Sequence, residues 1–392
     1  MITIKEAISL IKNTPPILLE GVINPIIESE GYTLFKNIDS PINMPPFRQS
    51  AMDGFAINLH KDLSYNLIGE LKAGDGHKPI LKPGEAIRIF TGSAVPDSAN
   101  AVIMQEKVKV DGNKIKIEQI PPKNHNIRAL GEQVKKGEVA LKKGTKLTPA
   151  AIGYLTSLGI TQVFIFKKPN IAIVTTGNEL IEAEQDLSHG KIYESNSKML
   201  LSALYNLKLY NVTLYKVEDD YNKTVKKLNA VINDNHLVLI TGGISVGDYD
   251  YVGKALHELQ VEKVFYKVKQ KPGKPLFYGK KKDTQIFALP GNPAAALSCF
   301  YVYVYIALQK MMNYDALELP RVKAKSISNF DKKGNRPQFL KAIYNNNEVE
   351  ILEGQNSSML QTFAVSNALV YLPEENNNIN IGNEVDVIIL PT

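Results

Sequence analysis

The chain has 392 residues, 44% hydrophobic and 22% charged, with a net charge of +6 and a pI near 8.9. That length excludes a single compact core and predicts about two to four domains. The mild positive charge suits an anionic small-molecule substrate, but the dense basic clusters and interleaved aromatics of a nucleic-acid binder are missing.

A single cysteine, Cys299, excludes a disulfide within the chain and fits a reducing compartment. The six histidines are scattered without zinc-motif spacing. Any metal is therefore expected to be a hard cation held by carboxylates and phosphate oxygens.

At the N-terminus, MITIKEAISLIKN has charges between its apolar residues and is not read as a signal peptide, so a cytoplasmic location is expected. It predicts a helix instead, with Thr3 and Glu6 as a capping box and Ile4, Ala7, Ile8 and Ile11 on one face. Prolines then break residues 14–46 into short pieces. From about Met52 to Lys143 the pattern predicts strands, including a hairpin of Lys107–Val110 and Lys114–Glu118 around Asp111-Gly112-Asn113. Thr148-Pro149 predicts a helix N-cap and first turn, with Gly159 closing the helix after Leu158 and Gln162–Phe166 following as a strand.

After Asn170 strands and helices alternate. Ile171–Thr175, Val212–Val217, Leu237–Thr241, Val264–Val268 and Gln285–Leu289 read as strands. Ser197–Leu207, Tyr221–Asn233 and Tyr251–Leu259 read as helices between them. That order predicts a parallel sheet covered on both faces. Asn292 is expected to cap a long helix with Pro293 in its first turn. The apolar run Ala294–Leu308 falls short of the roughly 20 residues a membrane span needs, so a buried helix is expected and no membrane association. After Pro320 strands return. The fold class is thus multidomain α/β, with an extended α+β N-terminal domain (1–44 and 141–168), an inserted β-rich domain (45–140), a doubly wound α/β domain (169–318) and a C-terminal β domain (319–392).

In a doubly wound sheet, ligands bind beyond the carboxyl ends of the strands. Two strands end there in glycine-containing loops, Thr175-Thr176-Gly177-Asn178-Glu179 and Thr241-Gly242-Gly243-Ile244-Ser245-Val246-Gly247-Asp248. Glycines without Cβ admit a phosphate to backbone N–H groups. A plain strand-to-helix turn remains the competing reading. The loops match neither GxGxxG nor Walker A. Glu179, Asp219, Asp220, Asp248 and Asp250 gather at the same edge, and carboxylates beside phosphate call for Mg²⁺; helix capping by Asp219, Asp220 or Asp248 is the alternative. Alternation across Lys267, Lys269 and Lys271 places three ammonium groups on one side of a strand, with Lys274 presented by a Pro-Gly turn, suited to oxyanion binding or to a solvated basic edge.

The segments PPFRQSAMDGFA, IFTGSAVP, NIRALGEQ, TTGNEL, TGGISVGDYD, KPGKPLFYG and LPGNPAAAL, followed by GNRPQF and GQNSSML, together resemble the molybdopterin molybdenumtransferase family, which includes bacterial MoeA and the gephyrin E domain. The resemblance spans nearly the whole chain. It implies a molybdopterin-binding type of α/β domain, a C-terminal β-barrel and an elongated homodimer, with a cleft between the α/β domain of one subunit and the β domain of the other. The implied reaction cleaves adenylylated molybdopterin with Mg²⁺, releases AMP and inserts molybdate into the dithiolene. Substrate hand-over from a molybdopterin adenylyltransferase is a further implied partnership.

Carried over by position, Asp53, Glu179, Asp219, Asp250, Lys267, Lys271 and Lys274 are the implied catalytic residues, with Glu179 and Asp250 at the metal. Thr91, Arg128, Gly242, Gly243, Ser245, Gly247, Arg336 and Ser357 are the implied cofactor-binding residues, Arg336 and Ser357 on the molybdate side. The chain departs from the family at Gln133, where members often carry Asp, and at Arg48-Gln49, where Asp-Asn is common. Two other functions were weighed. An adenylyltransferase uses a similar α/β domain but has no need of the SAMDG segment or the C-terminal domain. A protein-binding scaffold has no need of Asp53, Asp250 and Lys274.

Overall fold

The computed structural model describes residues 1–17, 19–244 and 251–391, and the chain divides into two compact units. One unit comprises Met1–Val22, Gly31–Thr33 and Phe166–Thr392; the other comprises Ile23–Glu30 and Leu34–Ile165.

The first unit is built on a six-stranded sheet in the order Val212–Val217, Ile171–Thr176, Leu237–Thr241, Thr284–Leu289, Phe277–Lys281, Glu262–Tyr266. Ile171–Thr176 is buried at every position, as expected of a strand covered on both faces. Alternation sends Ile171, Ile173, Leu237 and Leu239 against Leu200, Leu204, Phe300 and Tyr303. It sends Ala172, Val174, Val238 and Ile240 against Leu228, Val231, Val252 and Leu256 on the other face. The first four strands in this order are parallel.

Phe277–Lys281 runs against both its neighbours, so the sheet is mixed. The sequence pattern did not disclose this strand, because it lies inside the KPGKPLFYG segment, where prolines and a central glycine mask the alternation.

The basic strand expected over Lys267–Lys271 does not form. The strand ends at Tyr266, and Lys267 takes a left-handed φ of 65° that turns the chain. Val268 then bridges Ile2 and Lys271 bridges Gln338, so the three lysines go to different neighbours. The ammonium of Lys267 lies 4.8 Å from the centre of the Tyr266 ring, and Lys269 pairs with Glu374.

Helix Pro293–Met311 carries a π-type stretch at Phe300–Val304; the helix is long and apolar enough to cross a membrane, yet 83% of its apolar window is buried within the unit. Asn292 precedes it at the N-cap position, but its side chain makes no capping bond and donates instead to Ser357 Oγ at 2.9 Å. Helix Ile4–Asn13 has the expected Thr3–Glu6 capping box and buries Ile4, Ala7 and Ile11 in the same core. At the C-terminus, Arg321–Ser326, Glu348–Ile351, Gln338–Asn345, Ala368–Leu372 and Glu384–Ile389 close into a barrel in that order.

The second unit holds another six-stranded sheet, ordered Ala101–Met104, Gly54–Ile57, Glu85–Ile89, Ser64–Leu71, Lys114–Ile117, Val108–Asp111. Its last two strands are the predicted hairpin, joined through Gly112-Asn113. Phe55, Ile57 and Ile103 pack on one face and Ala56, Ile87 and Val102 on the other, so the sheet is covered twice. Helix Pro149–Ser157 starts where predicted, with Thr148 Oγ1 accepting from the Ala151 N–H.

Candidate active site

The strand order of the first unit reverses between Ile171–Thr176 and Leu237–Thr241, since the chain's next strand after the first lies on one side of it and the one after that on the other. Such a switch point leaves a crevice at the carboxyl ends of the two strands. Both glycine-containing loops open there, side by side, because Thr175 pairs with Thr241 in register.

The loops touch. Gly242 has φ 86°, and an added Cβ would lie 2.4 Å from the Thr176 carbonyl oxygen. No side chain fits between these backbones, so the glycine serves close approach as well as the turn. Beside it, the buried Thr176 hydroxyl has no hydrogen-bond partner among the described residues.

Around this junction lies a cleft of about 620 Å³. Its lining includes Thr176, Glu179, Gly242 and Gly243 from the two glycine-containing loops, and Lys271, Lys274, Arg336 and Ser357 from later segments. Asn196, Asn292 and Asn356 line it as well. Helices Asn196–Asn206 and Pro293–Met311 both begin at the cleft, and their N-terminal dipoles add to its attraction for anions.

Each polar wall residue has a local reason for its place. Arg336 Nη1 donates to the Gln270 carbonyl at 2.9 Å, which tethers the guanidinium to the segment bearing Lys271. The Gln270 side chain is buried and bonded to the Tyr303 hydroxyl and, at 3.2 Å, to the Gly273 carbonyl, so the Lys271–Pro275 turn is held from beneath. Ser357 Oγ accepts from Asn292, and the Ser357 carbonyl accepts from the Ala295 N–H at 3.2 Å. Cys299 lies under the same turn, wholly buried; desolvation pushes its thiol up to about 12, so it is no nucleophile.

Glu179 is exposed, and its carboxylate folds back over Gly177, where an added Cβ would lie 2.8 Å from both oxygens. The carboxylate has no hydrogen-bond or ion-pair partner among the described residues, while the Glu179 backbone carbonyl accepts from the Ile192 N–H at 2.9 Å. Asp219 does not line the cleft as drawn by those residues. Its Oδ2 accepts from the Asn178 N–H at 3.0 Å while its own N–H donates to Asn178 Oδ1 at 3.1 Å, a reciprocal pair that braces the loop next to Glu179. Asp220 caps helix Tyr221–Asp234 by accepting from the Lys223 N–H, the alternative foreseen for it.

The second unit organises its own polar group. Asp53 Oδ1 accepts from the Thr91 N–H at 2.7 Å and from the Thr91 hydroxyl at 2.8 Å. These bonds, backbone first, hold its carboxyl below the usual aspartate range, with a lesser pull from Arg88. A depressed carboxyl contributes stability above the ordinary range and loses it as pH falls through the lowered value. Thr91→Ala, which removes the hydroxyl and keeps the N–H, is expected to move the Asp53 titration partway back up in a carboxyl NMR experiment; an unmoved curve would contradict it.

Arg128 Nη1 donates to Gln49 Oε1 at 3.4 Å, and Gln49 Nε2 donates to the Gly92 carbonyl at 3.1 Å. Arg48 donates to the carbonyls of Pro96, Asp97 and Ala99. The two family departures at 48 and 49 thus tie the Asp53 segment to the loops carrying Thr91 and Arg128. At the third departure, the backbone N–H of Gln133 bonds the Met44 carbonyl, while Glu132 accepts from the Ala129 N–H and closes the turn.

Family models for the MoeA N-terminal region (domain I and II), a probable molybdopterin binding domain and the MoeA C-terminal region (domain IV) match residues 2–159, 172–310 and 323–390. The molybdopterin molybdenumtransferase of Haemophilus influenzae is 32% identical over 397 residues, covering 99% of this chain and 98% of that one. The chain belongs to the MoeA family of molybdopterin molybdenumtransferases. The Staphylococcus epidermidis enzyme of the same name is 31% identical over 401 residues, with 99% and 95% coverage. Among solved structures, the molybdopterin biosynthesis MoeA protein of Pyrococcus horikoshii superposes with a TM-score of 0.86 at 31% identity, covering 99% of this chain and all of that one.

Of the residues carried over from the MoeA resemblance, Glu179, Lys271, Lys274, Gly242, Gly243, Arg336 and Ser357 meet at one cleft. Asp53, Thr91 and Arg128 belong to the second unit. Ser245, Gly247, Asp248 and Asp250 lie outside the described residues. Asn196 and Asn356 had not been singled out. A cluster of cap-forming residues opening a helix at the sheet's carboxyl edge, SNS at 195–197, was the available signal for the former.

Whether Mg²⁺ suits the cleft can be judged from its donors. The described residues hold no group of three or more His, Cys, Asp or Glu side chains that would cage a metal. They do hold an unpartnered carboxylate at Glu179 and an unpartnered hydroxyl at Thr176 beside the glycine loop. Oxygen donors few in number fit a Mg²⁺ that would keep several of its own waters.

Proposed function

We propose that the chain joins molybdate to adenylylated molybdopterin in an Mg²⁺-dependent reaction that releases AMP, as a step in molybdenum cofactor biosynthesis. The observation that carries this reading is that one cleft is lined both by the unpartnered Glu179 carboxylate with closely packed glycines and by Lys271, Lys274 and Arg336.

On the glycine side, the backbone at Gly242 and Gly243, continued by Ser245 and Gly247, cradles the pyrophosphate. Glu179 and Asp250 would hold the Mg²⁺, which when bound offsets phosphoryl charge. Asp219 keeps the Glu179 loop in shape. Across the cleft, Lys271, Lys274 and Arg336 donate charge-assisted hydrogen bonds to the dianionic molybdate, with Ser357 as a neutral donor and acceptor. A molybdate oxygen forms a new bond to the pterin's phosphorus as the anhydride P–O bond breaks, and AMP departs with that electron pair. The two dithiolene thiols then form bonds to molybdenum as two Mo–O bonds break, one oxygen staying on the phosphate and the other leaving as water with the thiol protons. Lys267 is left out of this scheme because it is not among the cleft-lining residues, its ammonium lying 4.8 Å from the centre of the Tyr266 ring.

Asp53, Thr91 and Arg128 are assigned to cofactor handling by the second unit, and the active form to a cytoplasmic homodimer that receives its substrate from an adenylyltransferase. Sedimentation should then give twice the chain mass.

Asp250→Asn tests the chemistry. It is expected to fold normally and to slow AMP release from the adenylylated pterin by about 10²-fold or more, the scale of losing one metal-anchoring charge. Native turnover in that variant would sink the assignment. Given ATP and metal-free molybdopterin, the native chain should consume no ATP, whereas an adenylyltransferase would.

A further inference from the structure

Lys341 lies in barrel strand Gln338–Asn345 and is 4% exposed. Its ammonium donates to three backbone carbonyls, of Gly354 at 2.8 Å, Asn356 at 3.2 Å and Met359 at 3.0 Å. Three donors meet three acceptors, so the buried ammonium is fully bonded. Among the described residues it has no carboxylate partner. A cation without a counter-ion is costly to bury. Leu340 and Ala342 on either side of it point into the barrel core, so Lys341 lies on the strand's other face with Phe339. A hydrophobic residue would fill that buried position at less cost, so packing alone does not account for it.

The peptide it grips runs through Asn356 and Ser357, which line the cleft. The same strand grips that peptide again through Gln355. Lys341 N–H donates to Gln355 Oε1 at 2.8 Å, and Gln355 Nε2 donates back to the Lys341 carbonyl at 2.8 Å and to the Leu352 carbonyl at 2.7 Å. The Asn292–Ser357 bond then ties this loop to the start of helix Pro293–Met311.

We propose that Lys341 is a positioning residue for the oxyanion end of the cleft: by drawing the carbonyls of 354, 356 and 359 onto its ammonium, it orients the loop that presents Asn356 and Ser357 to the ligand. The physical logic is one of dipole direction. The negative ends of these peptides are engaged by the barrel lysine, which keeps them from facing an anion in the cleft. The buried charge adds a fixed positive potential behind the loop. Burial pushes the Lys341 ammonium down to about 8, so it remains charged at neutral pH. The inference rests on reading the cleft as an oxyanion site.

The test compares native chain, Lys341→Met, Ser357→Ala and the double variant, with molybdate binding measured by calorimetry and KM for molybdate measured separately from kcat. Lys341→Met should weaken molybdate binding and raise KM by about tenfold, equivalent to about 1.4 kcal/mol, with a much smaller change in kcat. The double variant should be no weaker than the worse single one, because both changes act through one loop. Multiplicative effects, or molybdate binding unchanged by Lys341→Met, would overturn the inference and leave the cleft assignment standing. No molybdate binding by the native chain would overturn the cleft assignment and the inference with it. Should Lys341→Met fail to fold, Gln355→Leu removes the second grip on the same loop and carries the same expectations.

Discussion

Glu179→Gln is expected to reduce molybdenum insertion by about 10²-fold or more, about 2.7 kcal/mol in activation free energy, while leaving the unfolding transition in place. The side chain is exposed and has no hydrogen-bond or ion-pair partner among the described residues, so folding does not draw on its charge. Its carboxylate sits at the end of Ile171–Thr176, over Gly177 and inside the cleft. The amide keeps the shape and one oxygen but loses the negative charge that a hard cation requires. The loss should therefore be partly recovered at raised Mg²⁺, which shows as a higher Mg²⁺ requirement in steady-state AMP release. A variant with native rate and native Mg²⁺ dependence would remove Glu179 from the mechanism. Loss of rate accompanied by a lowered melting temperature would point to loop damage instead.

Gly54→Ala should have the largest effect on stability, a loss of about 3 kcal/mol or more, because overpacking at a site that cannot relax exceeds the usual cost. A Cβ there would lie 1.8 Å from the Ile103 carbonyl oxygen and 2.8 Å from its carbon. Both atoms are backbone. The strand Gly54–Ile57 is paired on both sides, with Ala101–Met104 and Glu85–Ile89, so moving it breaks one ladder or the other. Asp53 immediately precedes it, and its bonds to Thr91 should be disturbed as well. Chemical denaturation followed by a probe in the second unit would read the loss. An unchanged midpoint would show that the sheet yields more than its geometry allows.

The glycine of the MDG segment illustrates how a motif divides between chemistry and packing. From sequence, Asp53 carries a role only through the resemblance, and Gly54 beside it carries none. In the structure, the Asp is held by Thr91 while the Gly is required by the approach of a neighbouring strand. Residues of both kinds look alike in a motif, since neither steric crowding nor a hydrogen bond across 38 positions leaves a periodic trace.

Local physics was legible. Caps at Thr3 and Thr148, the hairpin around Gly112-Asn113 and the largely apolar, fully buried strands at 171, 237 and 285 depend on neighbours a few positions apart, and they formed as the pattern required. Those strands also brought two glycine loops to one edge, which was enough to locate the crevice at the switch point.

What the sequence by itself determined, then, is the alternating α/β core, the strand edge where the two glycine-containing loops meet and, through its motifs, the MoeA family. Tertiary structure alone decided the reversed strand Phe277–Lys281, the separate fates of Lys267, Lys269 and Lys271, the diversion of Asn292 from its helix cap to Ser357, and the grip of Lys341 on the loop bearing that serine. Each of these depends on a partner that the fold supplies. A side chain's local pattern records whether it faces the core, but which backbone carbonyl or ring it meets is set only when the sheet and the barrel have closed.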